Sequence, residues 1–360
     1  MPIKEIGLVA FRNHDTINIE FCPNINIIWG KNGSGKTAIL EAIHSLSIGR
    51  SFRTHRKKEL LKDDKEFLSI TGKFHTNDKI QKIQINQTKD GTRRILIDGN
   101  KPESIRELVG LNPVVLLSPE EQIITKGSPQ DQRNYFNKLF SVISNEYFTI
   151  LSDYNRILKQ RNKLLDDFNL MSSAGKELNI WNERISEIGQ KLWMRRTEFF
   201  NKYSLELKNT VKDFKVGRFS FSGELEQKMP ENEKEYIEIL KKGQNRDIYL
   251  GRTSFGPHTD KIDFTFNGKN IKQYGSQGEH KLALLLIKLA EVKLIRKVTE
   301  KAPIILLDDL FAKLDDSRSK QAMAMIDNDL QTIITTTDLK IVEDRGIKIN
   351  KSNNCSFYLG

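Results

Sequence analysis

A glycine-rich loop near the start of the chain has the composition and spacing of a phosphate-binding site. It follows the strand-like run 25–29 and precedes the helical stretch 38–46, and strand, loop and helix in this order are the context that the motif requires. Backbone N–H groups of such a loop cradle phosphate oxygens, and the helix N-terminus adds partial positive charge. A turn without a ligand is the alternative, which the match at every position disfavours. The predicted nucleotide ligands are Gly30, Lys31, Asn32, Gly33, Ser34, Gly35, Lys36 and Thr37.

Two adjacent carboxylates far along the chain fit the metal side of the same site. The apolar run 304–307 ends in Asp308 and Asp309. Lys36 is predicted to reach the β- and γ-phosphates as a catalytic residue, while Thr37 and Asp308 hold Mg²⁺. Asp309 is predicted to orient or deprotonate the attacking water, although either carboxylate could instead cap the helix that follows. Many related ATPases place Glu there, so the shorter Asp predicts slow hydrolysis.

A third element, Ser276-Gln277-Gly278, begins a helix predicted from residue 279 to about residue 297. Alone it is a common helix cap. Its position between the two other motifs is typical of ABC-type ATPases, in which this signature turn binds the γ-phosphate held by a second protomer. Ser276 and Gly278 are therefore predicted nucleotide ligands across a dimer, and Leu314-Asp315 lie where that class has its D-loop.

The separation of these motifs indicates that both ends of the chain build one ATPase head around an inserted middle. We expect an N-terminal head segment at 1–118, an inserted helical arm at 119–246 and a C-terminal head segment at 247–360. In the arm, apolar residues step by three and four from residue 147 to 164 and from 178 to 199, which is typical of coiled-coil seams. An antiparallel hairpin with its turn at 169–175 is the simplest geometry; two amphipathic helices packed on a core are the alternative.

Composition limits the partners and the location. The net charge of +11 favours a polyanion, either nucleic acid or anionic lipid. Neither a secretory segment nor an apolar run long enough to span a membrane is present. Cys22 and Cys355 have no metal-ligand spacing and indicate no disulfide framework, so we expect a cytoplasmic protein.

The whole chain resembles the RecF family. Its N-terminal block is similar at residues 11–13, 33–43 and 49–54, its arm at 154–165, and its C-terminal blocks at 256–258, 276–278 and 306–310. The resemblance implies an α/β fold: an ABC/SMC-type P-loop ATPase head, with a mixed sheet plus antiparallel strands and an inserted helical arm. It also implies ATP and Mg²⁺ as cofactors, and Arg12 as a nucleotide contact.

The same resemblance implies a function in DNA replication, recombinational repair and the SOS response. Such a protein dimerises on ATP, binds single-stranded or gapped DNA, and acts with RecR and RecO to place RecA. We expect a slow DNA-dependent ATPase if Asp309 acts in catalysis, and a binding protein without catalysis if it does not. An ATPase subunit of another ABC-type system and a non-catalytic SMC-like DNA clamp remain alternatives. The predicted DNA contacts are Arg50, Arg53 and Lys57, with a second basic group at Lys159, Arg161 and Lys163. Either group could instead be a solvated surface.

Overall fold

We describe a computed structural model of the chain. The structure describes residues 2–76, 79–168, 174–309, 316–326, 329–344, 347 and 353–360. The predicted D-loop, Leu314-Asp315, and most of the predicted arm turn lie outside the described residues.

A five-stranded parallel sheet forms the centre of the head. In spatial order its strands are β13 (Cys355–Leu359), β3 (Ile25–Gly30), β12 (Thr332–Thr336), β11 (Ile304–Asp308) and β7 (Val114–Leu117). β7, β11 and β12 are buried at every residue, as expected for a parallel sheet that is covered on both faces. The strand that leads into the glycine loop and the strand that ends in Asp308 are therefore separated by β12 alone.

A second, antiparallel sheet lies beside it. Its strands are β2 (His14–Glu20), β1 (Ile3–Phe11), β4 (Phe67–Thr76), β5 (Lys79–Thr88) and β6 (Arg93–Ile97), in that spatial order. Buried residues alternate with more exposed ones along much of β1 and β5, because one face packs inward.

Helix α1 (Lys36–Ile48) follows the glycine loop and contacts strands of both sheets. All but one of its residues are buried. A helix that is buried on all sides is held in place by its surroundings, so its first turn is firmly positioned.

The middle of the chain is helical. After α2 (Ile123–Lys126) and α3 (Pro129–Ile143), the two long helices are α4 (Asn145–Asp166) and α5 (Ala174–Asp213). Arg195 bonds to Glu146 and Arg161 bonds to Asn182, so the two helices run antiparallel as the predicted hairpin.

This hairpin is packed on the head along much of its length. Its seam residues Tyr147, Tyr154, Ile185, Leu192 and Phe199 belong to the same apolar cluster as the buried face of α9. Leu164, Leu165 and Leu178 form a separate cluster towards the tip, and Phe168, Trp181 and Ile248 pack against it. The packed-helix interpretation therefore applies at the base, and near the tip the hairpin still contacts the helix Gln244–Leu250.

The remaining elements return to the head. A three-stranded antiparallel sheet consists of β8 (Phe221–Glu226), β9 (Lys261–Phe266) and β10 (Lys269–Asn270). Between β8 and β9 the chain forms the helices α6 (Glu233–Lys242) and α7 (Gln244–Leu250). The helices after this sheet are α8 (Ile271–Tyr274), α9 (Gln277–Thr299), α10 (Asp316–Ala324) and α11 (Leu339–Glu343). Within the described part of the chain, no helix is long and apolar enough to cross a membrane.

The two cysteines correct an expectation from the sequence. The structure joins Cys22 and Cys355 in a disulfide, with Cα atoms 5.7 Å apart. β13 pairs with β3 so that Cys355 lies opposite Asn26, and the Asn26 side chain bonds to both backbone groups of Cys22. A contact between residues 333 positions apart depends on this strand pairing, which spacing in the sequence does not encode.

A buried polar cluster fixes the base of the hairpin. Arg196 of α5 pairs with Asp260 and donates to Pro257 O at 2.6 Å. Trp193 Nε1 donates to the same carboxylate at 2.8 Å. Arg196 and Asp260 are both almost fully buried, so each charge depends on the other for compensation.

We predict that Arg196→Met lowers the free energy of unfolding by about 3–5 kcal/mol, because Asp260 is left buried and unpaired. Its neighbour Arg195 pairs with Glu146 and Glu198 while 40% exposed, so Arg195→Met should cost about 1 kcal/mol or less. Denaturant unfolding of both variants measures the difference. Equal losses would contradict the assignment of Arg196 as the anchor of the hairpin.

Candidate nucleotide-binding site

The glycine loop between β3 and α1 has the form of an anion cradle. Gly33 and Gly35 have φ angles of +87° and +96°, which only glycine adopts readily. No side chain caps the first turn of α1, so its backbone N–H groups are available to a ligand. Ser34 Oγ is buried without a hydrogen-bond partner among the described residues. The loop therefore fits a group with several acceptor oxygens, as a polyphosphate has.

Lys36 is held inside this loop. Its Nζ donates to Gly30 O and Lys31 O, both at 2.7 Å. Burial lowers the pKa of Lys36, and the charges of Asp309 and Asp308 oppose that shift. A phosphate oxygen could replace these carbonyl oxygens without a large movement of the ammonium group.

Thr37 and Asp308 meet directly. Thr37 Oγ1 donates to Asp308 Oδ1 at 2.9 Å across 271 residues of sequence, and Thr335 Oγ1 donates to the same oxygen at 2.7 Å. Burial, with smaller effects from the negative charges of Glu120 and Asp309, raises the pKa of Asp308. A cation bound here would favour its ionised form, and a hydroxyl beside a carboxylate is a suitable pair of oxygen ligands for Mg²⁺.

Asp309 turns towards the same cleft. Its φ is +46°, in the left-handed region that a non-glycine residue rarely adopts. The Asp309 N–H donates to Thr335 Oγ1 at 3.1 Å, which holds this backbone conformation. The residue after the predicted metal ligand is thereby presented to the cleft.

These groups line one cleft of about 680 Å³. Its loop residues include Asn32, Gly33, Gly35, Lys36 and Thr37. Its other lining residues include Arg12, Asn13, Arg53, Glu59, Lys62, Asp63, Asp308, Asp309, Thr335 and Thr337.

Arg12 reaches the cleft from the end of β1 and is held by a buried carboxylate. Its Nε and Nη2 donate to Glu41 at 2.8 and 2.6 Å, and the Glu41 side chain is fully buried. Glu41 also accepts from Ser51 Oγ and lies 3.5 Å from Arg53. Sequence reasoning missed Glu41 as an organising residue, although a lone acid in the apolar run of α1 was the available signal.

The three predicted DNA contacts, Arg50, Arg53 and Lys57, are all exposed. Arg53 also lines the nucleotide cleft, whereas Arg50 and Lys57 do not. On the arm, Arg161 is fully buried against Asp247, so the basic group proposed there is reduced to Lys159 and Lys163. Closeness in sequence therefore did not show that Arg161 is buried while Lys159 and Lys163 are exposed.

The signature turn lies away from this cleft. Ser276 caps α9: its Oγ accepts from Glu279 N at 3.3 Å, and the Glu279 carboxylate accepts from Ser276 N at 2.7 Å. Ser276 is exposed, and neither it nor Gly278 lines the cleft. The cap interpretation is correct locally, and an exposed turn remains available to a second protomer.

A P-loop paired with a carboxylate on a parallel sheet, a flanking antiparallel sheet and an inserted hairpin together define the head of an ABC-type ATPase. A family model described as RecF/RecN/SMC N terminal domain matches residues 2–355. The DNA replication and repair protein RecF of Clostridium acetobutylicum is 34% identical over 346 residues, which is 95% of this chain and 94% of that protein. The protein of the same description from Ligilactobacillus salivarius is 32% identical over 351 residues, 95% of this chain and 92% of its own.

Comparison with solved structures supports the same family. The recombination mediator protein RecF with ATP, described as part of the RecFOR pathway, superposes with a TM-score of 0.88 at 29% identity, covering 99% of this chain and 95% of that one. An SMC head bound to the C-winged helix domain of ScpA gives a TM-score of 0.55 at 18% identity over 95% of this chain and 91% of that one, which shows a common fold alone. The chain belongs to the RecF/RecN/SMC family and, within it, to the RecF proteins.

We predict that Glu41→Gln weakens binding of a fluorescent ATP analogue about tenfold, because Arg12 loses its charged partner at the cleft. Glu66→Gln, at an exposed pair with Lys89, is the matched control and should bind as the parent does. Titration by fluorescence anisotropy measures both. Unchanged affinity in a folded Glu41→Gln protein would show that Arg12 does not act on the nucleotide.

Proposed function

We propose that this chain is an ATP-dependent DNA-binding protein of DNA replication and recombinational repair. The observation that carries the proposal is the contact of Thr37 with Asp308, 2.9 Å long, beside the glycine loop. It supports a Mg²⁺-dependent nucleotide site assembled from both ends of the chain. The related RecF structure holds ATP, and the N–H groups and the ammonium group at the loop of this chain suit the phosphates of that nucleotide.

The residues have separate roles in this proposal. Loop N–H groups and Lys36 bind the phosphates, and Thr37 and Asp308 would hold Mg²⁺, which neutralises phosphate charge when bound. Asp309 holds and orients the water that attacks the γ-phosphate. Arg12, fixed by Glu41, binds the nucleotide from the side of the antiparallel sheet.

ATP-dependent dimerisation follows from the exposed signature turn. Ser276 and Gly278 lie outside the cleft of their own protomer, but the γ-phosphate bound by a second protomer could accept from Ser276 and the N-terminus of α9. A two-fold arrangement would then supply each half of both sites. ATP would hold the two heads together until hydrolysis.

DNA is the proposed polyanion. The net charge of +11 and the exposed side chains of Arg50 and Lys57 support sequence-independent contacts with phosphates. Arg53 is proposed to act at the nucleotide instead, because it lines the cleft. By analogy with the relatives, we propose that the target is single-stranded or gapped DNA. We propose RecR and RecO as partners that act with this protein to place RecA on that DNA. We further propose that the protein contributes to the SOS response and is located in the cytoplasm.

A slow, DNA-dependent ATPase is the proposed activity, and a non-catalytic clamp is the second candidate. The role of Asp309 distinguishes the ATPase from the non-catalytic clamp. We predict that Asp309→Asn retains ATP binding but lowers the turnover at least about 100-fold, because the water loses its base. Steady-state phosphate release measures the turnover; an unchanged rate would place the base elsewhere, and no turnover in the parent would favour the clamp.

The composite site makes a further prediction. Ser276→Arg should retain ATP binding but lose hydrolysis, because the added cation fills the slot for the partner's γ-phosphate. Lys36→Met should also lose hydrolysis. An equal mixture of the two variants should regain activity, up to about half of the parental rate. Each mixed dimer contains one site in which the intact Lys36 of one protomer faces the intact Ser276 of the other. Phosphate release by the mixture measures this, and a mixture as inactive as its components would contradict a shared site.

A further inference from the structure

The disulfide between Cys22 and Cys355 takes no part in the nucleotide chemistry described above. Both cysteines are partly exposed. In a protein proposed to work in the cytoplasm, a permanent structural disulfide is unexpected, because thiol reductants keep most cysteines of that compartment reduced. Disulfides that do form there are commonly transient and redox-sensing. The place of this pair in the sheet indicates what its redox state would control.

The two cysteines lie on backbone that is held to different degrees. The N–H and the carbonyl of Cys22 both bond to the side chain of Asn26, and the carbonyl also accepts from Gln331 Nε2 at 2.9 Å. Cys355 begins β13, an edge strand that pairs with β3 alone in the described part of the sheet. No residue of β13 is fully buried, and a short strand of this kind opens more easily than the strands of a core. The disulfide therefore anchors a weakly held strand to a fixed point.

The other end of β13 touches the glycine loop. Leu359 of β13 pairs with Gly30, the first residue of that loop. A Cβ atom on Gly30 would lie only 2.1 Å from Leu359 O, so the two backbones are in close contact. Gly30 O is also one of the two carbonyl groups that accept from Lys36 Nζ. One short strand thus connects the disulfide with the backbone that positions Lys36.

Side chains along β13 favour the docked strand without burying it deeply. The ring of Tyr358 lies 4.6 Å from the ring of Trp29, between centroids. Phe357 meets Phe21 edge to face, with centroids 5.9 Å apart. Phe357 and Leu359 are only partly buried against the apolar cluster that contains α1. Because these contacts are few, a covalent anchor can shift the balance between docked and open β13.

We propose that Cys22 and Cys355 form a reversible thiol-oxidation site, whose disulfide keeps β13 docked and strengthens ATP binding. The co-reactant is a low-molecular-weight disulfide, and a low-molecular-weight thiol reverses the reaction. When the pair is reduced, β13 separates from β3 part of the time and Gly30 loses its neighbour. Only the docked fraction then binds ATP at full strength, so the apparent affinity falls by that fraction. The inference rests on the proposed nucleotide site.

Thiol–disulfide exchange balances this reaction. The thiolate of one cysteine attacks a sulfur of the small disulfide, which gives a mixed disulfide and releases one small thiolate. The thiolate of the other cysteine attacks the cysteine sulfur of that mixed disulfide, which joins Cys22 to Cys355 and releases a second small thiolate. Two electrons pass from the cysteines to the small disulfide, and the two protons of the cysteine thiols pass to the released thiolates. The Cα separation of 5.7 Å suits the product.

The test uses the parent protein in buffers with graded ratios of oxidised to reduced glutathione. Alkylation and mass spectrometry count the free thiols, and fluorescence anisotropy measures the affinity for a fluorescent ATP analogue. The oxidised parent should bind the analogue about three- to tenfold more tightly than the reduced parent, which corresponds to a docked fraction of roughly 0.1–0.3 after reduction. Reduced glutathione should reverse both the disulfide and the gain in affinity. This comparison of two states needs no variant, so it holds whether or not a variant folds.

Two variants separate the bond from the docking of the strand. Cys355→Ser keeps nearly the same side-chain size but forms no disulfide, so it should match the reduced parent in every buffer. Phe357→Ala weakens the packing of β13. It should lower the affinity of the reduced protein further, whereas the oxidised protein should lose less, because the disulfide still retains the strand.

The other outcomes overturn the proposal in distinguishable ways. A parent that forms the disulfide reversibly but binds no analogue in either state refutes the proposed function and the coupling together. Equal affinity in the two states, or tighter binding by the reduced state, refutes the coupling alone. A pair that stays reduced in every buffer, or stays oxidised in excess reduced glutathione, is no redox site. A Cys355→Ser protein that still responds to oxidised glutathione would assign the effect to a mixed disulfide at Cys22 instead of the bond to Cys355.

Discussion

The hydrogen bond from Thr37 to Asp308 joins the two ends of the chain at the nucleotide cleft, and the order of strands in the head makes it possible. It forms because β12 alone separates β3 from β11 in the parallel sheet, so the carboxyl ends of strands from opposite ends of the chain meet at one edge. Thr335 of the intervening strand bonds to the same carboxylate and also accepts from Asp309 N–H. One threonine thus sets the positions of both acids.

Buried charge recurs where elements must keep a fixed relation. Glu41 holds Arg12 at the cleft. Arg196 holds Pro257 and Asp260 at the base of the hairpin, and Lys288 links α9 to the turn after β7. Apolar packing would stabilise these places equally well, but it is less directional. We interpret the ion pairs as a means of placing elements rather than of increasing stability.

The sequence predicts most of the head because its motifs are local. The glycine loop, the strand before it and the strand that ends in Asp308 each depend on neighbouring residues, and so does the stepping pattern of α4 and α5. The surroundings of Arg53, Arg161 and Glu41 were not predictable in this way, because each is decided by a partner distant in sequence or by burial against another element. The pairing of Cys22 with Cys355 likewise depends on the register of β13 against β3.

We propose that ATP closes two heads on shared sites. The most direct measurement is sedimentation equilibrium of the unmodified protein with ATP, with ADP and without nucleotide, each in the presence of Mg²⁺. We expect a dimer with ATP and monomers in the other two conditions, because only ATP has the γ-phosphate that can reach Ser276 of the second protomer. A dimer of equal strength with ADP, or a monomer under all three conditions, would contradict it.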